Sequence, residues 1–434
     1  MQRIAAPPLD KRLQSRYLML VESHMRVSPK LAAGVASLPS ISSSFAVTQA
    51  AWRFLNNERV TLSALAEPLR EAGRRATDAS RAPFVLLVHD WSKLAFRHSS
   101  TKEDVLQLTH DSDIGYELTT SLLVSADDGA PLAPMEMHLR TAHGVLSTRC
   151  PAPRHRAHLE QVLPTMKASA EWGLSKPIVH VIDREADSID HYRRWDAAGH
   201  KWLVRADDRR ILWNGESFLL SEVAKKLRQQ GQFSCVGTAS YQGRQAQLWV
   251  AEMEVVLHRP AKKNVKGRKY KKPGLPLALR LIVAQIRNGA GRVLAQWLLL
   301  TNAPIVWATA ELLARCYYWR WRIESFFKLL KSHGQQLEQW QQQTGEAIVR
   351  RLLIAAMACV VVWQLEGDDS PKATELKNVL VNLSGRQTKR SRPHTTPALL
   401  AGLCSLLSML ALLEHYDLRQ LKQLAATVPL RDTG

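Results

Sequence analysis

Two apolar runs that each end in an aspartate constrain this chain more than any other feature: FVLLVHD closes on Asp90 and PIVHVID closes on Asp183. A short continuous apolar run fits a strand covered on both faces, as parallel strands in an α/β sheet are. An acid at the carboxyl end of such a strand stands at the sheet edge where ligands bind. Between the runs, residues 116–125 and 134–140 read as two further strands about a turn at DDGAP, and residues 151–172 as a helix. After Asp183, SIDHYRRWDAAG returns as helix and KWLVRA as strand. Three strands, helix, strand, helix, strand is the order of a mixed α/β sheet.

From about residue 207 to 302 that order is interrupted by FSCVGTASYQ, AQLWVAEMEVVL, LALRLIVAQIR and VLAQWLLLTN, segments that suit an antiparallel β insertion. Inside it, HRPAKKNVKGRKYKKPG has many bases, Gly and Pro but no apolar period, and reads as a loop or disordered arm that meets phosphates. Residues 1–80 hold no convincing strand and read as a small helical module, with the Ser cluster of SISSSFAVTQAAWRFLNN as an N-cap. That leaves residues 81–345 as the α/β core with its insertion, and 346–434 as a helical region interrupted by the basic stretch SGRQTKRSRPHTTP.

Charge narrows the partner. The chain carries 59 Lys+Arg against 39 Asp+Glu, a formal charge of +20, which calls for a polyanion and points to nucleic acid. A membrane surface competes, but the bases are spread along the chain instead of flanking an amphipathic anchor. The longest apolar runs, 352–365 and 398–413, are shorter than the roughly 18 to 20 residues that span a bilayer, so no span is expected. The amino terminus MQRIAAPPLDKRLQSRY shows no apolar stretch followed by a small-residue cleavage site, so a cytoplasmic protein is expected. Five widely separated cysteines without a CxxC pair argue against both a disulfide framework and a structural zinc site.

The run YYWRWRIESFFKLLKSHG adds a third acid. At about 100° per residue, Tyr317, Arg320, Glu324 and Lys331 fall within roughly a 60° sector of one helix, with Lys328 in the same sector. Trp319, Ile323, Phe326 and Leu330 gather on the other side, leaving a lone carboxylate among bases on the polar front. Glu324, Asp90 and Asp183 can then form a three-carboxylate site. Like charges at close range raise one another's pKa, and a divalent cation relieves them. Hard oxygen donors suit Mg²⁺ or Mn²⁺, and two ions about 3.5–4 Å apart support in-line displacement at a phosphodiester. Taken singly, either aspartate reads equally well as a turn or cap acid, and Glu185 and Asp187 read as first-turn helix acids.

On DREAD around Asp183, WLVR, WLLLTNAPI and the Tyr-x₂-Arg-x₃-Glu-x₆-Lys spacing, the chain resembles the DDE transposases of bacterial insertion sequences, the group of insertion sequence four and transposon Tn-five. The likeness runs from about residue 9 to 334. It implies a ribonuclease H-like fold whose β insertion lies between the last core strand and the glutamate helix. It implies Asp90, Asp183 and Glu324 as ligands for two metal ions, Mg²⁺ or Mn²⁺. It also implies Tyr317, Arg320 and Lys331 on DNA-end phosphates, where Lys328 of the same helical sector is expected to join them, Arg205 near the DNA end, and Trp297 as the aromatic that receives a flipped base. A tryptophan packed in a strand is the equal alternative for Trp297. After Asp90 the chain reads WSK where many relatives carry two small hydroxyl residues, and its amino terminus is shorter than in many members. The expectation is a DNA transposase that binds terminal inverted repeats as a homodimer, the 346–434 region serving as interface. An inactive DNA-binding inhibitor and a structure-selective nuclease on the same fold stay open as alternatives.

Overall fold

A computed structural model of the chain describes residues 4–26, 44–96, 101–153, 157–241, 244–265, 268–387 and 393–427. Helices α1 (Lys11–Arg26), α2 (Ser44–Leu55) and α3 (Leu62–Ala79) come first. Thr61 caps α3, its hydroxyl accepting from the Ala64 N–H. Most of the Ser cluster before α2 lies outside the described residues.

The sheet then begins with β1 (Val85–Ala95), β2 (Leu106–Gln107), β3 (Ile114–Ser125), β4 (Pro131–Thr141) and β5 (Gly144–Ser147). After α4 (His158–Ser169) come β6 (Ile178–Ile182), α5 (Ile189–Ala197) and β7 (Lys201–Arg205). These strands lie in the order β5-β4-β3-β1-β6-β7. The ladder between β1 and β3 is antiparallel, whereas β1–β6 and β6–β7 are parallel. Three antiparallel strands followed by two parallel ones, with the first strand in the middle, is the ribonuclease H-like arrangement expected from the sequence. Residues 85–88 of β1 are fully buried, as the apolar run requires.

The insertion continues the same sheet. It comprises β8 (Arg210–Trp213), β9 (Glu216–Leu219), α6 (Leu220–Gln229), β10 (Ser234–Tyr241), β11 (Arg244–Leu257), β12 (Ala261–Val265), β13 (Arg268–Lys272), β14 (Leu277–Arg287) and β15 (Val293–Thr301). Its last strand, β15, pairs antiparallel with β7, so the insertion is hydrogen-bonded to the core and thirteen strands form one sheet. The basic arm, expected to be a loop or disordered, is instead a two-stranded antiparallel hairpin, β12–β13. Its charges hid a pairing made by backbone hydrogen bonds, which lysine and arginine side chains do not prevent.

Alternation along β14 divides the core. Leu279, Leu281 and Val283 join the cluster formed with α4, α5 and α6, while Ile282, Ala284 and Ile286 join the one formed with α1, α3 and the later helices. Those later helices are α7 (Ala310–Trp319), α8 (Trp321–Lys328), α9 (Gly345–Glu366), α10 (Pro371–Ser384), α11 (Thr396–Leu413) and α12 (Leu418–Ala426). Both α9 and α11 are long and apolar enough to cross a membrane, contrary to the expectation, because each helix extends beyond the apolar run read from sequence. Yet the most apolar window of α9 is 94% buried in the protein, and α1 and α3 pack on it. Arg350 of α9 staples the amino-terminal helices, donating to the carbonyls of Leu55 at 2.8 Å and Val60 at 2.7 Å. This is a core helix, and truncating Leu352 or Leu353 to Ala would cost about 2–5 kcal/mol.

Candidate active site

Strand register brings the two aspartates together. The last pair of the parallel β1–β6 ladder is His89 with Ile182; the next residues are Asp183, just past the end of β6, and Asp90, which does not close its strand as expected, because β1 runs on to Ala95 in its ladder with β3. They therefore stand about one strand spacing apart, roughly 4.8 Å. Asp183 shares the parity of Val181, which faces the later-helix side, so it points toward α7 and α8.

Glu324 reaches the same place from α8, and Arg320, at the α7–α8 junction, ties the three acids together. Its guanidinium lies 3.2 Å from Asp90 Oδ2, 3.0 Å from Glu324 Oε1 and 3.6 Å from Asp183 Oδ2. The Tyr317 hydroxyl donates to Asp183 Oδ1 at 2.8 Å. The polar front of the helix is thus not a solvated stripe: Tyr317 and Arg320 are 2% and 5% exposed, folded against the strand ends. The helix is not uniform either. Residues Leu329–His333 form a π turn, which rotates Lys331 relative to the α-helical wheel. Lys331 donates to the carbonyl of Lys93 at 2.5 Å and pairs with Glu338 at 3.1 Å.

These groups line an open cavity of about 510 Å³, bordered by Asp90, Asp183, Glu324, Arg320, Lys328 and Lys331. Lys328 is exposed and also borders the neighbouring cleft on the other side of α8. Arg205 ends β7, and its charge helps lower the pKa of Asp183. Trp297 sits on β15 against Tyr317, ring centroids 5.9 Å apart, and is not among the described residues lining the cavity. Trp91 and Ser92, the start of the WSK departure seen in the sequence, line the cavity beside Asp90, and Glu338, which carried no sequence signal, arrives from beyond the π turn.

Electrostatics separate the acids. Burial pushes the Asp90 carboxyl up to about 6, and Glu324 and Asp183 add to the rise, against the Trp91 amide and Arg320. For Asp183 burial acts the same way, but Arg320, the Arg184 amide and Tyr317 outweigh it and hold its carboxyl below the usual range. Three carboxylates around one guanidinium leave an excess of negative charge. All the donors are hard oxygens, which fits a hard divalent cation. As they stand, no three or more His, Cys, Asp or Glu side chains among the described residues are close enough together to hold one ion. The guanidinium is the cation at their centre.

A ribonuclease H-like sheet with one acid midway along β1, a second just past the end of β6 and a third on a following helix defines a class: enzymes that cut and rejoin polynucleotide backbones. The chain matches the transposase DDE domain family over residues 135–361, just over half its length, and belongs to it. Residues 9–60 match the transposase DNA-binding family. The DDE match includes Asp183 and Glu324 and begins after Asp90. The protein is thus a DNA transposase, an enzyme that cleaves DNA and transfers strands, of a family that depends on divalent metal. No curated protein matches the chain. Among solved structures it is similar to the piggyBac transposase in a synaptic complex with hairpin DNA, at TM-score 0.35 and 11% identity over 96% of this chain and 76% of that one. A likeness that distant adds nothing to the topology.

Proposed function

We propose that Asp90, Asp183 and Glu324 are the catalytic carboxylates of a cut-and-paste transposase acting on its own terminal inverted repeats. The observation that carries this reading is the convergence of three acids from β1, β6 and α8 on the single guanidinium of Arg320. The same three residues would hold Mg²⁺ or Mn²⁺, two ions by the logic of in-line phosphodiester displacement. Bound there, the metal would supply Lewis acidity and charge neutralisation at the reacting phosphate. The chain's own residues do the rest. Arg320 neutralises the carboxylates and, with Lys328 and Lys331 at the cavity rim, presents positive charge to an incoming phosphate. Tyr317 orients Asp183 through its hydroxyl.

Residues 1–80 would bind the repeats, with the β12–β13 hairpin as a second contact. Lys272 at the hairpin's base pairs with Asp190 of α5 at 2.7 Å, which fixes the arm to the core. A homodimer is the working form, joined through the 346–434 region. In support, Met409, Leu410 and Leu413 on α11, Leu418 and Leu424 on α12, and Tyr416 between them are all at least 43% exposed, a concentration of apolar side chains of the kind that marks an interaction surface. The protein would act in the cytoplasm, on the nucleoid. The test is cleavage of a labelled duplex carrying the gene's flanking repeat, with Mg²⁺ or Mn²⁺. Cuts at the repeat boundary that require metal and disappear in Glu324→Ala are expected; cutting indifferent to Glu324 would remove the helix from the mechanism.

A further inference from the structure

One partly exposed aromatic side chain in the carboxylate cavity has no role in the scheme above. Trp91 follows Asp90 on β1, on the strand's α4 face, and borders the same cavity. Its indole is stacked on the imidazole of His158, at the start of α4, with centroids 3.9 Å apart and planes 20° from parallel. His158 is itself fixed at both nitrogens: Nδ1 lies 3.2 Å from Glu117 Oε1, and Nε2 lies 3.0 Å from Glu185 Oε1. Burial works against a charged ring here, but the two carboxylates outweigh it and raise the His158 pKa, so an imidazolium donating to both satisfies the cluster. Glu185, which the sequence presents as a helix-start acid, thereby becomes part of the support for a side chain beside Asp90.

An indole held on one face by a ring anchored at two points has already lost most of its rotamer freedom on folding. Little remains to be lost when something binds it. Aromatic side chains held this way beside a phosphate-binding groove stack nucleobases without regard to sequence, because every base has a π face. Trp297, the aromatic singled out by the family resemblance, lies instead against Tyr317 and outside the described lining of this cavity.

We propose that Trp91 is a nucleobase platform: a base beside the scissile phosphodiester stacks on it and sets which phosphate lies over Asp90, Asp183 and Glu324. The inference rests on those three residues being the reaction centre. It makes Trp91 a positioning residue whose loss weakens and misplaces the substrate, with the carboxylate chemistry left in place.

The experiment uses full-length protein and duplexes carrying the flanking repeat, with 2-aminopurine at each nucleotide adjoining the cleavage position in turn. Binding is read without divalent metal, and cutting with Mn²⁺, for wild type, Trp91→Phe, Trp91→Ala and Asp90→Asn. At least one probe position is expected to be quenched by wild type and by Trp91→Phe. Trp91→Ala loses that quench, its KM rises roughly tenfold, and its cuts spread to neighbouring phosphates. Asp90→Asn keeps the quench and does not cut. An unchanged quench and cleavage position in Trp91→Ala overturns the platform alone, as does a melting temperature that falls equally in the Ala and Phe variants with no change at the probe. Wild-type cutting by Asp90→Asn overturns the carboxylate reading itself, and with it the phosphate that the platform would place.

Discussion

Two polar clusters lie back to back on β1, one residue apart, and they are built on opposite principles. On the face toward α4, His89 Nδ1 lies 2.9 Å from Ser121 Oγ, and its Nε2 lies 2.9 Å from His180 Nδ1. All three side chains are 2% exposed. Farther along, Glu136 pairs with His138 at 2.8 Å and Arg149 at 3.3 Å. Burial pushes His89 down to about 3 and His180 well down too, so both rings are neutral and hydrogen-bonded to each other. On the face toward α8, Asp90 and its two companion acids keep an excess of negative charge around one guanidinium. The histidine face is sealed, its rings neutral and its one carboxylate paired with Arg149; the aspartate face is open and short of cations. Buried polarity by itself does not mark a site, but unbalanced polarity at an opening does.

The comparison breaks most visibly at Glu324. Glu324→Ala should lower cleavage by on the order of 10³-fold or more, since several kcal/mol of transition-state stabilisation are lost. Repeat binding should persist, and the melting temperature should shift by only a few degrees, because the residue is partly exposed. A gel assay beside a thermal melt checks both. A loss of folding equal to the loss of cleavage would place the aspartate face in the same structural category as the histidine face.

Next in size are two stability effects that should respond differently to metal. Arg320→Gln leaves three carboxylates without their internal counter-ion and should destabilise the metal-free protein by about 1–3 kcal/mol. Mn²⁺ should restore much of that by binding the folded state. His89→Leu strands Ser121 and His180 and should cost a similar 1–3 kcal/mol, with no recovery on adding Mn²⁺. Melts of both variants with and without metal separate the clusters; equal rescue of both would merge them.

Much of this organisation is legible in the sequence. The runs before Asp90 and Asp183 fall in β1 and β6, because a strand buried on both faces leaves a continuous apolar signature; that β1 continues past Asp90 to Ala95 stayed hidden, because its second half is less buried and loses that signature. The spacing of Arg320 and Glu324 was legible because it is local, and the two do touch. What stayed hidden depends on contacts distant in sequence or on backbone pairing. Trp91 meets His158 across 67 residues, a pairing that only the tertiary fold creates. The β12–β13 hairpin is written in backbone hydrogen bonds under a charge pattern that suggests a loop. The π turn shifted Lys331 because a wheel at constant angle cannot register a local change of pitch.

The finest test of the comparison is pH, because the two faces should tilt stability in opposite directions. Asp90 has a folded pKa of about 6 against an ordinary 3.8, so between those values the folded state binds more protons than the unfolded state. Its contribution therefore makes the metal-free protein less stable as pH rises through that window. His89 is the reverse: about 3 when folded against an ordinary 6.5, so the unfolded state binds more protons, and stability rises with pH over that range. His180, lowered in the same way, reinforces the rise. Metal-free stability should accordingly increase from pH 4 to 6, more steeply in Asp90→Asn and less steeply in His89→Leu, as denaturant titrations would show. Metal affinity should follow Asp90. The Asp183 carboxyl is held below the usual range, whereas Asp90 must shed a proton to bind a cation, so Mn²⁺ affinity should fall about tenfold per pH unit below 6. Calorimetric titration checks this, and an affinity constant down to pH 5 would mean that Asp90 is not a ligand, leaving only Asp183 and Glu324 to distinguish the open face from the sealed one.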